Sequence, residues 1–125
     1  MTLSQYYIDS DIMRRPRKPV RFLASSLADL KGFPEAVRRN CGFQLSKLQR
    51  GEAPDDWKPM SGIGAGASEI RVHDDQGEFR VIYVAKFPDA IFVLHVFAKK
   101  TRKTPARDFR LAMGRYKILM ARAVR

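Results

Sequence analysis

Apolar and polar residues alternate most clearly between Ser68 and Lys100. This stretch predicts three consecutive β-strands: Glu69 to His73, Phe79 to Lys86 and Ala90 to Ala98. β-Branched and aromatic residues fill them, and the connections Asp74-Asp75-Gln76-Gly77 and Phe87-Pro88-Asp89 hold the residues that let a chain reverse. The result is a meander that ends on a basic pair, Lys99-Lys100. Upstream, Val20 to Leu23 alternates enough for a short strand at a sheet edge. Ser26-Leu27-Ala28-Asp29 fits a capping box, which opens a short helix stopped by Gly32 and Phe33-Pro34.

Pro34 suits the first position of the next helix, and Glu35 suits its first turn. Val37, Cys41, Leu45 and Leu48 then recur at helical spacing up to Gly51. The two helices make a hairpin able to cover one sheet face. Residues 52–67 read as a loop in which Trp57 is expected to anchor on the core. Gly62-Ile63-Gly64-Ala65-Gly66 reads there as a flexible connector, because no G-K-[ST] and no helix follow it. Thr104-Pro105 opens a last helix to about Ala123, with Phe109, Ala112, Met113, Tyr116 and Met120 as its apolar stripe. The fold class is α+β: an N-terminal strand and helical hairpin packed on a small, mainly antiparallel sheet, then a closing C-terminal helix.

Composition narrows this picture. A chain of 125 residues with 45% apolar content suits one domain. Residues 1–18, with the proline-punctuated basic run Arg14-Arg15-Pro16-Arg17-Lys18, read as a flexible extension not expected to pack, and residues 19–125 read as the domain. No apolar run approaches the roughly 20 residues of a membrane helix, and the N-terminus lacks a signal-peptide layout. A single cysteine, Cys41, allows neither an internal disulfide nor a cysteine-based zinc cluster and is expected to fill the core. A cytoplasmic protein with no membrane partner is the expectation. The net charge of +11 points to a polyanionic partner, nucleic acid first and an acidic protein second. The charge is clustered, since from Lys99 to Arg125 ten Lys and Arg residues face one acid, Asp108.

Strand alternation assigns the candidate chemistry to a face. Glu69, Arg71 and His73 share one side of their strand, with Ile70 and Val72 on the other. Arg80 is an isolated charge within an apolar strand, and His95 is the one polar residue of the third strand before Lys99. Together with Lys99-Lys100 they outline a cationic sheet face suited to a phosphodiester. The plainer alternatives are an ion pair of Arg80 with Glu69 or Glu78, a half-buried His95, and a solvated turn at Lys99-Lys100 and Arg102-Lys103. Two distant histidines without H-E-x-x-H argue against zinc, and G-x-S-x-G and Rossmann glycine patterns are absent. The acids do not pair as a two-metal nuclease needs, so any phosphodiester chemistry is expected to proceed without metal or other cofactor.

The order of elements resembles the RelE/ParE toxin superfamily, within it the HigB-like, phage-derived branch. The residues that carry the resemblance are Ser25-Ser26-Leu27-x-Asp29-Leu30, Phe33-Pro34-Glu35, Gly62-x-Gly64 before Glu69-Ile70-Arg71, Phe79-Arg80-Val81-Ile82-Tyr83, and Leu94-His95-x-Phe97-x-Lys99-Lys100 before Thr104-Pro105. It covers about Pro19 to Leu119. It implies a type II toxin: a ribosome-dependent mRNA endonuclease held inactive by a co-encoded antitoxin, expected to be a helix-turn-helix DNA binder. A ribose 2′-hydroxyl would attack the adjacent phosphate, with cations stabilising the charge that develops and an acid and a base serving the two oxygens.

By the same resemblance Arg71, Arg80, Lys99 and Lys100 stabilise charge, and Arg102, Lys103, Arg107 and Arg110 are candidate RNA contacts. RelE-type enzymes place a tyrosine just beyond the basic pair as candidate base, whereas here the chain reads Lys103-Thr104-Pro105-Ala106-Arg107. Either His95, Tyr83 or a lysine takes that role, with His95 the candidate of suitable ordinary pKa, or the ribosome and RNA contribute more. The alternatives to an mRNA nuclease are a non-catalytic ParE-like inhibitor of DNA gyrase and a nucleic-acid-binding phage-derived protein without activity.

Overall fold

The computed structural model describes residues 17–123. Most of the expected basic extension therefore lies outside the described residues. Where the chain is first described it is already tied to the fold, contrary to the expectation for Lys18. Its ammonium donates to Ala85 O (2.9 Å), and its carbonyl accepts from Gln49 Nε2 (2.7 Å).

Eight elements follow: β1 (Val20–Phe22), α1 (Ser26–Lys31), α2 (Glu35–Gln49), β2 (Trp57–Pro59), β3 (Ala67–Asp74), β4 (Gly77–Val84), β5 (Ile91–Lys99) and α3 (Ala106–Ala123). They form an α+β fold on one five-stranded sheet of order β1-β5-β4-β3-β2. β1 runs parallel to β5 at one edge, and the remaining pairs are antiparallel. The expected meander is present as β3, β4 and β5. The other edge strand, β2, was not expected. It runs through the predicted loop and pairs Trp57 with Ile70 and Lys58 with Glu69. Trp57 is thus no core anchor: it sits on an edge strand, 44% exposed.

The helical hairpin covers one face of the sheet. Leu30, Val37, Cys41 and Leu45 pack on Ile70, Val72, Phe79, Val81, Tyr83, Ile91, Val93 and Val96, and Leu48 closes the margin. α3 covers part of the opposite face, where Ala112 and Leu119 meet Ile82, Val84, Leu94 and Phe97. Two packed layers thus sandwich the sheet. Truncating a fully buried residue of either layer, such as Ile70 or Leu94, would cost about 2–5 kcal/mol.

Three local features depart from the sequence reading. The capping box does not form. The helix begins one residue after Ser25, whose hydroxyl bonds Asp29 Oδ2 at 2.8 Å, while Ser26 is buried with its hydroxyl on Val93 O. The glycine run is no free connector, because it packs under α3. A Cβ on Gly64 would collide with the Tyr116 ring, and the Tyr116 hydroxyl donates to Ala65 O at 2.7 Å. A bulge also interrupts the β4–β5 pairing. Ile82 lies opposite His95 but Tyr83 lies opposite Val93, which leaves Leu94 without a partner residue. The extra residue turns both Leu94 and His95 toward α3.

Candidate nucleic-acid interface

α3 leaves one end of its sheet face open. There β2, β3, β4 and β5 contribute Lys58, then Glu69 and Arg71, then Glu78 and Arg80, then Lys99. The register fixes their order: Lys58 lies opposite Glu69, Arg71 opposite Arg80 and Glu78 opposite Lys99. Two guanidiniums directly across a strand pair repel unless a counter-charge intervenes. Glu69 supplies it. Its Oε1 lies 3.3 Å from Arg71 Nε and 3.8 Å from both Arg80 Nε and Lys58 Nζ. Glu78 holds Arg80 from the other side, Oε1 to Nη1 at 3.1 Å, and pairs with His73 through its second oxygen. Burial pushes the Glu78 carboxyl up, but the hydrogen bonds from Arg80 and His73 outweigh this and hold it below its ordinary range.

Both proposed ion pairs of Arg80 are thus present, and together they fix the guanidinium in place. Arg80 is 7% exposed and Glu69 fully buried. Among the described residues, Glu69 Oε2 and Arg80 Nε are buried without a hydrogen-bond partner. Cations outnumber acids here, and Lys99 registers the imbalance. Burial pulls its ammonium below the ordinary lysine range, and Arg80, Lys58 and Arg71 lower it further against the opposing pull of Glu69. Lys99 therefore holds its proton less tightly than an ordinary lysine does.

A hollow of about 400 Å³ opens beside this cluster, lined by Glu78, Arg80, Lys99, Lys100, Thr101 and Arg102. The structure thus brings Arg71, Arg80 and Lys99 together, with Lys100 and Arg102 at the rim. Lys103, Arg107 and Arg110 are exposed on the following turn and on α3, outside the hollow's lining. A larger and more apolar hollow, about 740 Å³, lies between β1 and the end of α3 and includes none of the cluster.

His95 is not in the cluster. Four residues along β5 separate it from Lys99, about 13 Å of strand, and it is buried against α3. Its Nε2 lies 2.6 Å from Asp108 Oδ1 and its Nδ1 lies 3.3 Å from Arg115 Nη1. A guanidinium only donates, so Nδ1 accepts, Nε2–H donates to Asp108, and both ring nitrogens are engaged. Arg115 also donates to the bulge carbonyl of Leu94 (2.9 Å) and to Ser25 Oγ (3.2 Å). These bonds tie α1, β5 and α3 together. Tyr83 lies on the opposite face, buried beneath the helical hairpin, where burial pushes its phenol up. Of the groups weighed for the missing tyrosine, only the lysines stand in the cluster.

Sequence reasoning missed Lys58 because its strand is three residues long and ends on Pro59. It took Glu69 only as a possible partner for Arg80, although alternation with Arg71 had already put it on the right face. Among the described residues no three of His, Cys, Asp and Glu gather as a metal-ligand set, and no helix is long and apolar enough to cross a membrane.

Comparison with known proteins adds one finding. No curated protein matches the chain. The family model of phage-derived Gp49-like proteins (DUF891) matches residues 28–117, from α1 to within α3, and so spans the whole cationic cluster. The chain belongs to this phage-derived Gp49-like family, a RelE/HigB-type, toxin-like family.

Proposed function

We propose that the chain is the toxin of a type II toxin–antitoxin pair and that it cleaves mRNA on the ribosome. One observation carries this reading: Arg71 and Arg80 meet at one buried carboxylate, Glu69, at the open end of a sheet face, and Lys99 of the next strand lines a hollow beside Arg80. The family supports the toxin, and the cluster supports the chemistry.

In the proposed reaction the scissile phosphate sits in the hollow beside Arg80 and Lys99. Lys99, in its unprotonated form, takes the proton from the 2′-hydroxyl, and the 2′-oxygen attacks the neighbouring phosphorus. Arg80 and Arg71 neutralise the negative charge that grows on the phosphorane oxygens, where fixed donors are worth most. The bond to the 5′-oxygen breaks, that oxygen takes a proton from Lys100, and a 2′,3′-cyclic phosphate remains. Glu69 and Glu78 hold the two arginines so that no reorganisation is needed as charge develops. His95 has no proton-transfer role in this scheme; it positions α3. Lys103, Arg107 and Arg110 extend the basic surface toward ribosomal and messenger phosphates. An antitoxin that covers this face would silence the protein.

The test is induced expression of wild type, Arg80→Ala and Lys99→Ala/Lys100→Ala, with growth and a translated reporter mRNA followed together. Arrest with ribosome-dependent cuts, both lost in the variants, is the expected result. Arrest with intact mRNA would move the target to gyrase or another machine. No arrest from folded protein would leave a family member without toxin activity.

A further inference from the structure

The cationic face is one side of the β2 edge, and the other side carries a hollow that the nuclease reading does not use. Alternation along β2 sends Lys58 to the cationic face and its neighbour Trp57 to the helical-hairpin face. Trp57 is 44% exposed there, at the mouth of a hollow of about 410 Å³. Leu48 gives the hollow an apolar wall, Ser68 and Tyr83 line its sheet side, and Lys18, Lys86 and Glu52 are among the charged residues that border it.

We propose that this hollow is a nucleobase site: one base of a single-stranded RNA stacks on Trp57, and its flanking phosphates meet Lys18 and Lys86. The strand then crosses the sheet edge at Lys58 to reach the Arg80–Lys99 hollow. This rests on the nuclease reading for the identity of the polymer but adds a second contact and a path for the chain.

Three features favour a base over an apolar peptide. An exposed indole face is a stacking platform that accepts any base. The two lysines are held in place from behind, Lys18 by Ala85 O at 2.9 Å and Lys86 by Ala65 O at 3.1 Å. An ammonium has three donors, so each keeps two for a phosphate. The acid of the lining, Glu52, is already paired with Arg50 at 3.0 Å. Among the described residues β2 is an edge strand, and no further described strand blocks passage from one face to the other.

Trp57 is the only tryptophan of the chain, so its emission reports on this hollow alone. The experiment titrates the full chain with an uncleavable, 2′-O-methylated oligoribonucleotide carrying a fluorescent end label, reading label anisotropy and tryptophan emission together. Quenching in step with anisotropy is expected. Trp57→Ala should weaken binding on the order of tenfold, and Trp57→Phe, which keeps a stacking face, should recover most of it. Inorganic phosphate should leave the emission unchanged.

Anisotropy that rises with unchanged emission and undiminished binding by Trp57→Ala would overturn the site. So would absence of oligonucleotide binding by the folded protein, or equal quenching by polyglutamate, which would make the hollow a peptide site. Binding with quenching by a protein that cuts no mRNA would sink the nuclease reading and leave the base site standing.

Discussion

Two buried carboxylates, Glu69 on the sheet and Asp108 on the helix that packs over the same face, behave in opposite ways. Asp108, near the covered end, meets a histidine whose two ring nitrogens are both engaged. Glu69, at the open end, is surrounded by Lys58, Arg71 and Arg80, yet one of its oxygens and the Nε of Arg80 have no hydrogen-bond partner among the described residues. A polar group buried without a partner costs about 1–3 kcal/mol. A fold that satisfies one end and leaves the other incomplete has settled its structure at the first and kept interaction capacity at the second. Burial alone did not separate the two, and neither did the presence of a histidine. The balance of charge and the completeness of hydrogen bonding did.

The contrast can be broken at either end. The largest effect is expected at Arg80. Loss of one fixed donor to a developing oxyanion typically lowers turnover about 10²–10³-fold, so Arg80→Ala should abolish detectable cleavage in a reconstituted translation assay. Arg80→Lys should recover little of it, because an ammonium cannot bridge Glu69 and Glu78 as the planar guanidinium does. At the satisfied end the expected loss is stability. Asp108→Ala leaves His95 Nε2–H buried without an acceptor, a cost of about 1–3 kcal/mol in denaturant unfolding, with cleavage per folded molecule unchanged.

Glu69→Gln sharpens the comparison through pH. Glu69 raises the proton affinity of Lys99, whose ammonium already sits below the usual range. Withdrawing the carboxylate charge lowers that affinity further. The rate limb that rises as Lys99 loses its proton should therefore move to lower pH in the variant's pH–rate profile. A limb that stays in place would remove Lys99 as the base. The smallest effect concerns the closed face. Burial pushes the Cys41 thiol from 9.0 up to about 12, so the folded chain keeps a proton that the unfolded chain releases. Its contribution to stability is complete below about pH 9 and is lost as pH rises toward about 12. Comparing alkaline unfolding of wild type with Cys41→Ala isolates it, and native Cys41 should resist maleimide until the protein unfolds.

Long periodic segments were legible in the sequence. The meander, both longer helices and the edge strand at Val20 follow from alternation, helical spacing and turn residues. β2 was hidden because Trp57-Lys58-Pro59 is too short to show a period and is held by pairing to β3 rather than by its own pattern. The capping box failed by one residue, since Ser26 spends its hydroxyl on Val93 O. Within the site, alternation along β3 and β4 made the facing of Arg71 and Arg80 legible, whereas Lys99 reaches the same face only because the bulge at Leu94 shifts the phase of β5. His95 was placed on that face with a half-buried histidine as the alternative: it shares the face, but strand length and the packing of α3 keep it out of the cluster. The bulge at Leu94, which sets how His95 meets α3, has no glycine or proline to announce it. Glu69 was visible as a residue, but its role as counter-charge to three strands appears only once the sheet is paired.

The most direct test of the open end as a cleavage centre is primer extension on a translated mRNA in a purified ribosome system. Wild type, Asp108→Asn, Arg80→Ala and Lys99→Ala are compared at equal folded concentration. Wild type and Asp108→Asn should cut at the same positions, and Arg80→Ala and Lys99→Ala should not cut. Cleavage by Arg80→Ala at the wild-type rate would contradict the account.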